Sequence, residues 1–591
     1  MNNHKTDEWD LESIFSSRAA WEDTFKNIEQ EIPQLKKFQY ATMNSAETLL
    51  NFIELFDALS IKADSLHLYA YLRHAENTRD QESESILVRA NSLIARLHTE
   101  VSFFEPEFLA CPSEVRSKIV KHPSLKTYRH RLKEIERYRP HTLTDPEEKL
   151  LGLLSPLRTH AERIRTNLHD AEMSFKPVVI EGTQFEVTHG SIEQLLSDKD
   201  RNLRKATYTS YTDAYLSQSQ THATAFVNHT EACFLFSKAK KFDSTFSKSL
   251  FDSGLTPELY HTVISSCKKH RNLFQRYFTA RAKILGIEKI AEYDLHAPLS
   301  KNPPVYSYEQ ARELVLNSIH PLGNEYHSIA RKGLHEGRWV DVYPRPGKSS
   351  NPFSAGGYQT KPFILLNYTP SILEVGTLAH ELGHSMHSYY TSRSQPYCYT
   401  NYEMSVAETA SNLNQVLLRD FILKHGDKEQ TLAVLDEAFY FFHRYLFLMP
   451  TLSEIEYLLH DTCAKGGTMS ADEISKVTIE SFSEAYQDSV SFESRRLGVQ
   501  WAKFCHFYIP FYFFQYAIGI SAAMAIGKRI ISNEKSIGKK YLQFLSAGAS
   551  RPCTEIFAIA DIDINDTAMY SESFEVVKEY VERIESLAIE R

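Results

Sequence analysis

Thr377-Leu378-Ala379-His380-Glu381-Leu382-Gly383-His384-Ser385-Met386-His387 is the stretch on which the reading of this chain turns. Leu373, Val375, Leu378, Leu382 and Met386 recur around it at helical spacing, so the segment predicts a buried helix. On a helix, His380 and His384 lie one turn apart on the same face, and two imidazoles so placed can point at one metal ion, zinc being the usual choice. Glu381 follows the first candidate ligand directly, which sets its carboxylate beside a metal-activated water rather than on the metal. A chain with 25 histidines in 591 residues can meet this pattern by chance. Its context therefore matters: a candidate strand at 362–368 precedes it, and Pro370-Ser371 starts the helix. A His-Glu-His face amid apolar neighbours needs a reason to be there.

A third ligand must come from elsewhere. The H-E-x-x-H-x-x-G-x-x-H arrangement is excluded, because His387 stands at its glycine and Tyr390 at its last histidine. A helical hairpin offers another source. With the first helix ending near Thr391 and the next beginning near Tyr402, His384 lies about 10 Å from the loop end and Glu408 about 9 Å into the returning helix. Glu408 is then level with His384, whereas Glu403 stays near the loop. The opposing reading is a solvated stripe of Glu408, Asn412, Gln415 and Arg419.

Further along, residues 501–519 crowd His506, Tyr508, Tyr512 and Tyr516 into an apolar run; phenol or imidazole donors there could stabilise a developing oxyanion. Residues 504–526 carry no Asp, Glu, Lys or Arg, yet their Tyr, His, Gln and Pro content suits a buried segment lining a polar cavity better than a membrane span. Helices are expected over 47–59, from Thr144-Asp145-Pro146, and over 191–215. A glycine-turn hairpin is expected over 178–187, and strands at 339–343 and 362–368. The Gly-, Ser- and Pro-rich segment 344–361 reads as a mobile loop. The fold class is thus mainly α with a small sheet: a helical N-terminal domain, 1–199, and a catalytic domain, 200–591.

A net charge of −9 argues against a nucleic-acid partner. The seven cysteines are scattered and form no C-x-x-C pair, which suggests reduced thiols rather than disulfides or a thiolate metal site. The first nine residues lack a signal-peptide core, and a cytoplasmic protein is expected.

The chain resembles oligopeptidase F, in the thimet-oligopeptidase family of zinc metallopeptidases. The likeness runs from Trp9-Asp10-Leu11 through 103–107, 140–143, 339–343, Gly347-Lys348 and 365–368 to 377–387, Val406-Ala407-Glu408-Thr409-Ala410-Ser411 and 506–519. It implies a helical two-subdomain peptidase of gluzincin type with a deep substrate channel. It also implies one zinc on His380, His384 and Glu408, Glu381 as base, and cleavage of short peptides. Tyr508 and Tyr516 are the implied transition-state donors, with His506 close by. Two departures stand out: Asn414-Gln415 where the family is expected to carry Asn-Glu, and an altered 349–357 loop. In this reading the 364–368 strand pairs with an extended peptide. Rival readings are a non-catalytic peptide-binding scaffold and a zinc carboxypeptidase of similar shape.

Overall fold

The computed structural model describes residues 7–589, which are overwhelmingly helical with seven short strands among them. The strands are β1 (Val178–Ile180), β2 (Thr183–Phe185), β3 (Ile290–Ala291), β4 (Val340–Asp341), β5 (Phe353–Ala355), β6 (Phe363–Leu365) and β7 (Val490–Ser491). Two compact units emerge, each assembled from three chain segments. One takes the chain up to Asp145, Tyr306–Leu418 and Arg529–Asp561; the other takes Pro146–Val305, Arg419–Lys528 and the chain from Ile562.

In the first unit, the helix expected over 47–59 runs on to Glu76, started by Ser45, whose side chain accepts from the Thr48 N–H. Its Leu49, Phe52, Ile53, Phe56 and Leu59 enter a core with Trp21, Phe25, Leu93 and Phe108. Further along the same helix, Leu68 and Leu72 pack with Trp9, Phe363 and Leu365, seating the small sheet. That sheet has the order β4-β6-β5, with β4 parallel and β5 antiparallel to β6. In the expected 364–368 strand, Ile364 and Leu365 are already paired on both sides, by β4 and β5, so at those two residues a peptide could add only at an edge of the sheet, and β5 is one such edge. Nor is 344–361 a mobile loop. It contains β5, and Lys348 buries its ammonium on the Asp341 carboxylate at 2.6 Å. The Thr78 N–H donates to the Gly347 carbonyl at 2.7 Å, and Asn367 donates to the Ser349 carbonyl at 2.9 Å.

In the second unit, the expected hairpin forms as β1 and β2, joined through Glu181 and Gly182, both at positive φ (49° and 84°) as a tight primed turn requires. The single helix expected over 191–215 is two, Ile192–Leu196 and Arg201–Ser217. The break lies where Asp200 caps the second helix by accepting from the Asn202 N–H at 2.8 Å. The apolar run 504–526 is likewise divided, into a 3-10 turn at Cys505–Tyr508 and a helix, Phe514–Ile531. No helix among the described residues is long and apolar enough to cross a membrane. All seven cysteines are free thiols.

Candidate metal centre and active site

The motif helix, Ile372–Ser394, starts at Ser371, whose hydroxyl accepts from the Glu374 N–H at 3.2 Å. It lies directly on the returning helix, Met404–His425, because residue 383 is glycine: a Cβ there would stand 2.5 Å from the Ala410 carbonyl oxygen and 2.6 Å from Ser411 Cα. Asn414 adds a polar pin, donating to the Ala379 carbonyl at 3.2 Å while accepting from the Tyr326 hydroxyl at 3.0 Å.

This close crossing brings three candidate ligands together. Glu408 Oε2 lies 3.7 Å from His380 Nε2, and its Oε1 lies 3.8 Å from His384 Nε2. Those separations are too long for hydrogen bonds and match the span between two ligands that each reach one tetrahedral ion over about 2.0–2.2 Å. Two imidazoles and a carboxylate are also the donor set of a zinc site with an open position. Among the described residues no other trio of His, Cys, Asp or Glu ligand atoms converges this tightly, within 4.8 Å of one another, and Glu403 does not belong to the group. Ser411 and Asn412 donate to Glu408 Oε2 at 3.1 and 3.3 Å. Asn412, Gln415 and Arg419 are buried rather than solvated, which removes the reading of a surface stripe.

The electrostatics follow from burial. His384 is pushed down to about 4, first by burial, so it is neutral and able to ligate at physiological pH. Glu381, buried beside the trio, is raised to about 7 by burial, with His380 opposing, Glu408 assisting and the Ser354 N–H of β5 opposing. The third histidine of the motif, His387, lies flat on Tyr402 at 3.7 Å with both ring nitrogens unbonded, and burial lowers it to about 3. It is a packing residue.

The His/Tyr segment belongs to the second unit. His506 Nε2 stands 3.3 Å from the Tyr516 hydroxyl, and the rings of His506, Tyr512 and Tyr516 form a triangle with centroids 5.5–5.9 Å apart. Tyr508 packs elsewhere, on His229 at 4.9 Å and Phe226 at 6.1 Å, and burial pushes its phenol up.

A family model described as Peptidase family M3 matches residues 194–576, more than half of the chain, and a second, described as Oligopeptidase F, matches residues 107–175. The chain belongs to peptidase family M3. It is 30% identical to the Oligopeptidase PepF of Bacillus subtilis (strain 168), over 98% of this chain and 87% of that one. A crystal structure of a Chlamydophila abortus protein matches with a TM-score of 0.88 at 29% identity, covering 98% of each chain. That of oligoendopeptidase-F from Enterococcus faecium matches with 0.76 at 24% identity, covering 96% of this chain and 99% of that one, a likeness of fold.

As an M3 peptidase the chain is a metal-dependent hydrolase of peptide bonds, and two features of its candidate metal site were not legible as functional from sequence. Gln415, noticed only as a departure, accepts from His380 Nδ1 at 3.1 Å, which leaves Nε2 facing Glu408. Ser354 touches Glu381 through its backbone and lies 31 residues from its hydroxyl partner Ser385, at 2.8 Å.

Proposed function

We propose that this M3 peptidase is a zinc-dependent oligopeptidase that cuts short peptides internally, with one zinc per chain on His380, His384 and Glu408. The observation that carries the reading is the convergence of those three ligand atoms beside a buried Glu381. Zinc bound there would supply Lewis acidity to the scissile carbonyl and acidify an attacking water. Glu381 takes the proton of that water and returns it to the leaving amine. His506, Tyr508 and Tyr516 are the candidate donors to the carbonyl oxygen, and the ring triangle favours His506 and Tyr516, with Tyr512, over Tyr508. Edge strand β5 holds an extended peptide through main-chain hydrogen bonds, which suits broad sequence acceptance.

The domain extents 1–199 and 200–591 are retained as a proposal, supported by the separate matches at 107–175 and 194–576. A cytoplasmic location goes with seven unpaired cysteines. The test is zinc analysis of the purified protein together with mass mapping of fragments from a mixed peptide pool. Internal cleavage with one zinc per chain is expected. Stepwise loss of single C-terminal residues would instead indicate a carboxypeptidase.

A further inference from the structure

Six arginines are buried among the described residues, and five of them are ion-paired: Arg116 with Glu136, Arg204 with Asp294, Arg271 with Glu454, Arg281 with Asp436 and Arg419 with Glu437. Arg165 is the sixth. It is 7% exposed, its Nε meets no hydrogen-bond partner, and no carboxylate pairs with it among the described residues. A buried guanidinium without a counter-ion is costly, so a chain that keeps one has a use for it.

Its position suggests the use. Arg165 lies in the last turn of the helix Leu157–Thr166, immediately before a π-helical turn, Asn167–Glu172. The other π-helical turn among the described residues, Arg444–Leu448, also begins at an arginine. Such turns are energetically poor and recur at functional sites. Both lead to the same place in the second unit: the helix of Arg165 packs on the Cys505–Tyr508 turn, while Tyr445, next to Arg444, stacks on Tyr516 at 4.9 Å. Among the described residues no carboxylate forms an ion pair with Arg444 either; its guanidinium bonds the Tyr440 phenol, which donates to Glu193 at 3.1 Å. The His506 imidazole is held down to about 4, by burial first and then by the positive fields of Arg444 and Arg165. Two guanidinium groups, Arg165 with no carboxylate paired to it among the described residues and Arg444 bonded to the Tyr440 phenol that in turn donates to Glu193, thus act on a neutral imidazole beside a set of phenols, an arrangement suited to receiving an anion.

We propose that Arg165 and Arg444 form a receptor for a carboxylate of the bound peptide, either its C-terminal α-carboxylate or an Asp or Glu side chain. This rests on the reading that the His506–Tyr516 cluster meets substrate. The experiment uses one fluorogenic nonapeptide in three forms: free C-terminal acid, C-terminal amide, and amide with Glu as its last residue. Steady-state kinetics are measured on the zinc enzyme, and binding is measured on the non-hydrolysing Glu381→Gln enzyme. The parent should favour a carboxylate-bearing form over the plain amide by about tenfold or more, through KM rather than kcat. Preference for the free acid alone identifies the terminal carboxylate; equal preference for the Glu amide identifies a side chain. In Arg165→Gln and Arg444→Gln the ratio should fall to about one, and Arg165→Lys should keep part of it. A parent without preference, a ratio that survives in the glutamine variants, or a parallel fall for all forms with the ratio intact overturns the receptor. A Tyr516→Phe enzyme with parental turnover on every form overturns the reading beneath it, and the receptor with it.

Discussion

Glu381 is one residue from the candidate ligand His380 and lies outside the converging trio, and its burial raises its carboxyl to about 7. Glu381→Gln should therefore retain about one zinc per chain while kcat falls by about 10²–10⁴-fold or more. Zinc by plasma emission and turnover on a peptide are the paired measurements, and loss of zinc would reassign the residue as a ligand. Glu408 differs because both of its oxygens face imidazoles. Glu408→Ala should weaken zinc strongly in chelator competition, whereas Glu403→Ala should not; the reverse ranking would mean that the ligand trio is wrong. Gln415 acts one bond further out. Removing its amide in Gln415→Leu frees His380 to rotate and should loosen zinc by about 10–100-fold, whereas Gln415→Glu should tighten it, since a carboxylate is the stronger acceptor for an imidazole N–H.

Between the motif helix and the returning helix, a single hydrogen atom decides the spacing. Gly383→Ala places a methyl group against backbone atoms at 2.5–2.6 Å, and backbone cannot swing aside as a side chain does. The helices must part, so both the trio and the fold suffer: Tm falls and zinc affinity falls with it, and an alanine variant with parental zinc affinity would contradict the crossing. In the second unit, the turn that carries the His/Tyr cluster depends on Glu456. This fully buried carboxyl accepts from the Phe511 N–H at 2.7 Å, and Phe511 sits at φ 58°, a left-handed conformation that a non-glycine residue adopts only when its surroundings insist. Phe246, Tyr260 and His460 enclose the Phe511 ring. Burial raises Glu456 well above its ordinary value near 4.5. The folded state therefore holds a proton that the unfolded chain releases, and stability drains away as pH rises from the ordinary value towards the raised one, by about 1.4 kcal/mol per pH unit. Glu456→Gln keeps an acceptor and never ionises. Its Tm relative to the parent should thus climb as pH rises above the ordinary carboxyl value, and a pH-independent difference would exclude the protonated carboxyl.

For the molecule as a whole, the relevant question is what it can digest. A substrate that adds along the edge of β5 must be extended, and a structured segment becomes extended only by local unfolding. Free peptides of about 6–20 residues should be cut internally, while a stable folded protein carrying the same residues in a helix or central strand survives. Both substrates in one tube, followed by mass spectrometry, give the comparison, and efficient cleavage of the folded partner would point to an open-cleft endoprotease. The proposed oxyanion donors are tested at this scale too, since their unit is assembled from segments far apart in the chain. Tyr516→Phe should keep zinc and fold while losing about 10²-fold in turnover, and Tyr508→Phe, whose ring packs on His229 and Phe226, should lose less.

What the sequence determined by itself is local and periodic. The four-residue spacing puts His380 and His384 on one helical face, and the rise per residue along two helices makes Glu408 rather than Glu403 level with them. Alternation and the Glu181-Gly182 turn specify the β1–β2 hairpin. Only the tertiary structure decided what stands opposite. That Gly383 meets backbone rather than space, that β6 is already paired on both sides, that Gln415 faces His380, and that Arg165 alone of the buried arginines meets no carboxylate among the described residues are relations between distant segments. Each compact unit draws three separate stretches of chain together, and periodicity carries no information about which side chain from another stretch will arrive at a given face.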